Sequence, residues 1–231
     1  MSNSYNNSDM NISTKGYSAG KTLRDECFGL NDVAKEHWVK LIKNIDRLGV
    51  QELQSRQQEL LKLLQENGVT YNVYGDPNGL NRPWLLDSVP LVLSAKEWET
   101  TERGLKQRAF VLNKMLEDFY GERILIKKGI VPPELIYGHS GFLRPCSNIK
   151  LPGQNKLVLY AADISRGPDG KVWVLKDRTQ APSGMGYALE NRRALSRVLP
   201  ELFQQHQVAK LGTFFNSLIL GLHQISPQGK E

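Results

Sequence analysis

Lys156-Leu-Val-Leu-Tyr-Ala-Ala-Asp-Ile164, Gly167-Pro-Asp-Gly170 and Lys171-Val-Trp-Val-Leu-Lys-Asp177 read as strand, turn and strand. In the second strand Val172, Val174 and Lys176 alternate with Trp173, Leu175 and Asp177, the period-2 pattern of a pleated segment. The intervening turn makes the pair a β-hairpin. Thr179-Gln-Ala-Pro-Ser-Gly-Met-Gly186 follows as a Gly-rich loop, and a helix is expected from about Tyr187. Upstream, Val33, Trp38, Leu41, Ile42, Ile45 and Leu48 fall at helical spacing, and Gly49 ends that run. A second helix, about Gln51 to Asn67, carries Leu53, Leu60, Leu61 and Leu64 and stops at Asn67-Gly68. The two predict an antiparallel helical hairpin.

Further elements complete the reading. Val69 to Asp76 predicts a strand that breaks into the Gly75-Asp-Pro-Asn-Gly79 turn. Leu91 to Leu93 predicts a short strand. Ser94 and Glu97 form a capping-box pattern before the longest helix, Ala95 to about Tyr120. Short helices are expected near Glu122 to Lys127 and Pro132 to Leu135, and helix from Pro200 to about Ile225. Helices, strands and helices in that order, with few alternating βαβ units, favour an α+β fold: helices around a small, mainly antiparallel sheet. Residues 1–20, rich in Asn and Ser, are expected as a disordered polar tail, 21–226 as the folded region and 227–231 as a second tail.

The chain has 231 residues, 30 Lys plus Arg against 24 Asp plus Glu, and a net charge of +6, which favours anionic partners. The 40% hydrophobic content suffices for a core and excludes wholesale disorder. Cys27 and Cys146 form no CxxC pair and are expected as reduced thiols. No apolar run approaches a membrane span, and the N-terminal stretch lacks a secretory signal, so a cytoplasmic location without membrane contact is expected. His37, His139, His206 and His223 show no metal-ligand spacing. Cys146 has no partner histidine at a nucleophile-activating spacing. Without a helix–turn–helix, RNP strand or zinc knuckle, nucleic-acid binding is not expected.

The chemistry concentrates at the hairpin. Asp163, near the end of the first strand, faces residues 176–178 at the end of the second. Carboxylates there suit a hard cation, the backbone N–H groups of 182–186 suit phosphate oxygens, and the following helix adds a positive N-terminus. Arg166, Arg178, Arg192, Arg193 and Arg197 cluster nearby and suit bidentate contacts to phosphate or carboxylate. The alternative is an ordinary surface hairpin beside a Gly-rich loop.

Gly68-Val-Thr-Tyr-Asn-Val-Tyr-Gly-Asp76, Gly141-Phe-Leu-Arg-Pro-Cys146, Leu159-Tyr-Ala-Ala-Asp163 and Asp177-Arg-Thr-Gln-Ala-Pro-Ser-Gly-Met-Gly-Tyr-Ala-Leu-Glu-Asn-Arg192 together resemble the circularly permuted ATP-grasp type 2 family, over about Asp25 to Leu222. The resemblance implies an ATP-dependent ligase that activates a carboxylate as an acyl phosphate for attack by an amine or thiol, with ATP and Mg2+ as cofactors. It implies Asp163 as a metal ligand and Ser183, Gly184, Gly186 and Asn191 as nucleotide-binding residues; beside Asp163 the neighbouring Asp177 is expected as a second metal ligand, and Arg178 and Arg192 are expected as catalytic cations. The family pattern departs at Lys176 and Arg178, where Glu and Asn are expected as magnesium ligands. Either Asp177 substitutes while Lys176 and Arg178 hold phosphates, or the chain keeps a binding role without catalysis. No second Gly-rich loop or adenine-binding strand is identifiable. The expectation is therefore an N-terminal portion, incomplete alone, whose missing lobe a second polypeptide supplies; the substrates are a nucleotide and a small carboxylate and amine.

Overall fold

In the computed structural model the described residues are 17, 25–29, 33–72, 75, 81–153 and 155–226. They form helices α1 (Glu36–Glu66), α2 (Ala95–Tyr120), α3 (Ile124–Lys127), α4 (Pro133–Tyr137), α5 (Met185–Val198), α6 (Pro200–His206) and α7 (Gly212–Ile225). Two two-stranded sheets accompany them: β1 (Thr70–Tyr71) with β2 (Arg82–Pro83), and β3 (Ala161–Arg166) with β4 (Val172–Arg178). The α+β expectation holds, with the sheet content divided into two small pairs. The chain separates into two compact units. The first comprises residues 1–95, 166–171 and 183–211; the second comprises 96–165, 172–182 and 212–231.

The first unit owns the buried core. Trp38, Leu41 and Ile42 on α1, Leu60 and Leu64 near its end, Ala194, Leu195 and Val198 on α5, and Leu202 on α6 are all buried. Gly49 interrupts α1 at φ 73°, ψ 167°, a backbone conformation that L side chains rarely adopt, so the predicted break at this glycine is real. Buried Asn44 is satisfied on both sides: its Nδ2 donates to the Lys40 carbonyl at 2.9 Å and to Gln205 Oε1 at 2.8 Å. Arg56 donates to the Val198 carbonyl at 3.1 Å and so serves the C-terminal end of α5.

β1 and β2 pair antiparallel, Thr70 opposite Pro83 and Tyr71 opposite Arg82. Of the predicted strand at 69–76, Thr70 and Tyr71 are β-structure; Val73, Tyr74 and Asp76, with the turn at 77–79, lie outside the described residues. So do the tails, Tyr17 excepted. The expected strand Leu91–Leu93 is not one. The extended chain ahead of it is held by a side chain instead: Gln57 Nε2 donates to the Leu86 carbonyl, and its Oε1 accepts from the Ser88 N–H, both at 2.7 Å.

In the second unit the predicted hairpin forms, but its first strand starts later than expected. Residues 156–160 form no strand. The N–H groups of Lys156 and Leu157 both donate to Oδ1 of buried Asn113 at 2.8 Å. The side chain of α2 thus takes the place of a strand partner. The turn matches its sequence: Gly170 N–H donates to the Gly167 carbonyl at 2.9 Å, and Gly170 takes φ 81°. The expected helix from Pro200 to Ile225 is two, because Gln207 turns left-handed at φ 48° and ends α6. No helix among the described residues is long and apolar enough to cross a membrane.

Asn113→Ala leaves two backbone donors without their acceptor. The expected result is a loss of about 1–3 kcal/mol in urea unfolding. An unchanged midpoint contradicts the role given to Asn113.

Candidate functional site

Each carboxylate singled out in the hairpin is held by an arginine. Arg178 Nε donates to Asp163 Oδ1 at 3.0 Å and its NH2 to Oδ2 at 2.8 Å, a two-pronged pair. The hydrogen bonds and charge of Arg178, with the charge of Lys176 added, hold the Asp163 carboxyl below the usual range. Asp177 is held by Arg108 of α2, through Nε at 3.0 Å and through NH2. Tyr160 donates its hydroxyl to Asp177 Oδ1 at 2.6 Å. Arg108 first and Tyr160 second keep the Asp177 carboxyl low. Burial, then the Asp177 carboxylate, pushes the Tyr160 hydroxyl up.

This donor set does not fit a magnesium ion. Both oxygens of Asp163 and both oxygens of Asp177 already accept from guanidinium groups, and the two carboxylates have separate partners. Among the described residues no three His, Cys, Asp or Glu side chains converge on a point that could hold a metal. A cation entering either carboxylate must displace a charge-assisted pair and face the arginine it releases.

The Gly-rich loop leads to a different feature, inside the first unit. Gly184 is the N-cap of α5 at φ 103°, and no side chain caps this helix end. A Cβ on Gly184 or Gly186 would meet nothing within 4 Å, so both open onto free space. Gly186, Glu190, Arg193 and Arg197 recur at helical spacing along one side of α5. Together with Asn67, Gly68 and Thr70 they line a cavity of about 850 Å³. The cavity runs along α5 from the positive N-terminal end of this 14-residue helix, past Glu190 and Arg193, to Arg197 in its last turn. Glu190 is engaged, accepting from Asn67 Nδ2 at 2.8 Å and lying 4.0 Å from Arg193.

The remaining motif residues anchor this helix end. Trp84 Nε1 donates to Asn191 Oδ1 at 2.8 Å. Its ring stacks on Tyr187 at 4.4 Å and meets Tyr71 edge-on at 5.9 Å. Tyr187 donates its hydroxyl to the Thr70 carbonyl at 2.6 Å. Asn191 therefore holds the scaffold through its amide oxygen. Arg192 lies half-buried with its guanidinium 5.9 Å from the centre of the Phe203 ring, and burial lowers its pKa. The cations lining the cavity are Arg193 and Arg197, while Ser183, Gly184 and Gly186 are exposed.

The same spacing was legible in the sequence, where the five arginines were read as one cluster. Helical periodicity separates Arg192 from Arg193 and Arg197. Arg108, Tyr160 and Asn113 carried no signal, because each acts across more than 15 residues of sequence. His139 serves its own loop, its Nδ1 accepting from the Gly141 N–H at 3.0 Å. Cys27 is a free thiol pushed up to about 11 by burial and then by Asp25. Cys146 is also free.

A family model described as circularly permuted ATP-grasp type 2 matches residues 90–231, which include the hairpin, the Gly-rich loop and α5. The chain belongs to the circularly permuted ATP-grasp type 2 family. The match starts after Gly68–Asp76, so that stretch lies outside it. Similar proteins include an uncharacterized protein of Mycobacterium tuberculosis, 35% identical over 198 residues, which are 82% of this chain and 22% of the relative. An uncharacterized protein of Synechocystis sp. is 38% identical over 160 residues, 69% of this chain and 33% of the relative. One from Mycobacterium leprae is 31% identical over 198 residues, 86% of this chain and 35% of the relative. This circularly permuted ATP-grasp chain thus spans about a fifth to a third of the length of these relatives.

Removal of the Arg178 guanidinium tests the hairpin electrostatics. In Arg178→Ala the Asp163 carboxyl should titrate higher, toward the ordinary range, in side-chain carboxyl NMR. The depressed carboxyl favours the folded state above its unfolded pKa, near 4, and loses that contribution as pH falls through the folded value. The variant should therefore show a weaker fall in stability on acidification below about pH 4. An unmoved Asp163 titration contradicts the pairing.

Proposed function

We propose that this chain supplies the anion-binding part of an ATP-dependent ligase that joins a carboxylate to an amine or thiol. The observation that carries the reading is the cavity along α5, which runs from the Gly184 end with no side-chain cap past Arg193 to Arg197 in the last turn. Uncapped first-turn N–H groups and a helix dipole favour a phosphoryl or carboxylate group. Two arginines add bidentate donors. The glycines at 184 and 186 let such a group approach the backbone.

In the proposed reaction a substrate carboxylate oxygen attacks the terminal phosphorus of ATP and ADP leaves. An amine or thiol then attacks the acyl carbon, and phosphate departs with the bonding electron pair. The Gly184 turn orients the phosphoryl oxygens at the start of α5, while Arg193 and Arg197, further along the helix, hold the remaining negative charge of the substrates; Ser183 extends the same turn. Arg178, which stands where the family pattern has Asn, and Arg192, which matches that pattern, have existing partners in Asp163 and Phe203, so the proposal gives the cavity arginines the larger share. No step is assigned to magnesium, because the hairpin carboxylates do not fit it. A cytoplasmic setting and small-molecule substrates belong to this proposal.

A second reading is favoured by one specific observation: Asp163 and Asp177 are both neutralised by arginines. On that reading the hairpin is structural, and the chain binds or docks without catalysing.

Titration calorimetry of ATP into the full chain tests the cavity assignment. The double variant Arg193→Ala/Arg197→Ala should lose about tenfold or more in affinity, equal to about 1.4 kcal/mol. Binding to the parent chain should weaken with salt and persist within about twofold in a chelator. Equal affinity of parent and double variant overturns the cavity assignment.

A further inference from the structure

The cavity along α5 is longer than one phosphoryl group needs. Gly184 precedes the first turn of the helix, and Arg197 lies in its last turn, thirteen residues on. At a rise of about 1.5 Å per residue the two stand about 20 Å apart along the axis, with Arg193 about 13 Å from Gly184. Side chains lean back toward the helix N-terminus, which shortens the gap without closing it. Both ends suit negative charge, and the middle does not. At one end the first-turn N–H groups have no side-chain cap. At the other, among the described residues, Arg197 has no carboxylate partner and Arg193 has Glu190 alone, at 4.0 Å. Glu190 stands between, its Oε1 accepting from Asn67 Nδ2. A uniformly charged chain such as a polyphosphate would meet that carboxylate midway. A Cβ on Gly68, Gly184 or Gly186 would meet nothing within 4 Å, so a ligand chain can lie against the backbone there.

We propose that the carboxylate substrate of this site is a short, extended peptide with two carboxylates, the reacting one at the Gly184 end and the other held by Arg197. The inference rests on the reading of the cavity as the phosphoryl site and adds the class of substrate to it. Distance assigns the roles. A carboxylate oxygen that attacks phosphorus must come within about 3–3.5 Å of it, and the phosphoryl group sits at the Gly184 turn. A carboxylate on Arg197 is too far away to react, so it anchors the substrate, with the guanidinium supplying bidentate donors. An extended chain advances about 3.3 Å per residue, so roughly four to six residues bridge the two ends. The cavity volume of about 850 Å³ admits a ligand of that size; it stands toward the upper end of the roughly 300–1,000 Å³ usual for ligand sites.

The test is titration calorimetry of the full chain with peptides of two glutamates separated by zero to five alanines. Their ends are acetylated and amidated, so that only the side-chain carboxylates carry charge. Affinity should rise at least tenfold from the peptide without alanines to the best of those with three to five. Arg197→Ala should erase the rise, and Arg197→Lys, which keeps the charge, should retain part of it. Lys210→Ala, at an exposed position outside the cavity, should leave it unchanged. Thermal unfolding by circular dichroism checks that each variant is folded, as the exposure of Arg197 leads one to expect. Equal affinity at every length, no binding of any peptide, or a rise that survives Arg197→Ala overturns the proposal. ATP titrated into the same samples keeps the two readings apart. ATP binding that weakens in Arg193→Ala/Arg197→Ala, with no dependence on peptide length, overturns the peptide substrate alone. ATP binding that the double variant does not change overturns the cavity reading and the inference with it.

Discussion

The packing of α1 against α5 and α6 fixes the first unit. Leu41, Leu60, Leu64 and Val198 are essentially inaccessible to solvent, and each such burial stabilises by about 1.5–3 kcal/mol relative to exposure. α5 also carries the Gly-rich turn at its other end. A helix held by its core face cannot turn about its axis without unpacking Ala194, Leu195 and Val198. The direction in which Gly186, Glu190, Arg193 and Arg197 face is therefore set by the core. Trp84, clamped between Asn191 and Tyr187, fixes the N-terminal end of the same helix. The cavity is a consequence of that packing and not a separate construction.

The hairpin chemistry follows a different logic. A carboxylate that faces a cation in solution is cheap to neutralise, and here Asp163 and Asp177 each have a guanidinium partner with good geometry. The replacement of Glu and Asn by Lys176 and Arg178 thus changes more than the ligand count. Arg178 takes over Asp163, the carboxylate of the family's metal-ligand pattern that this chain keeps. The proposed anion recognition therefore falls to backbone donors and arginines on α5, where Arg193 lies 4.0 Å from Glu190.

The sequence revealed the elements whose causes are local. Helical apolar spacing marked α1, the Gly-rich loop marked the start of α5, Gly49 marked the break, and Gly167-Pro-Asp-Gly170 marked the hairpin turn. It did not reveal elements decided by distant side chains. Residues 156–160 have the composition of a strand, yet Asn113 captures the first two of their N–H groups, those of Lys156 and Leu157, from α2. Leu91–Leu93 has strand composition but lacks a partner strand, and Gln57 secures the chain just before it. At the site the residue types were legible and the grouping was not. Five arginines in one stretch read as one cluster, whereas helical geometry turns Arg192 toward Phe203 and lines the cavity with Arg193 and Arg197.

The central claim is that anions enter at the N-terminus of α5. Backbone amide NMR during a titration with ATP, without added metal, tests it most directly. The account predicts that the largest shifts fall on Met185, Gly186 and Tyr187 and on the Arg193 and Arg197 side-chain N–H groups, with the Asp163 and Asp177 neighbourhoods nearly still. Shifts centred on the hairpin at 161–178, with α5 unmoved, would contradict it.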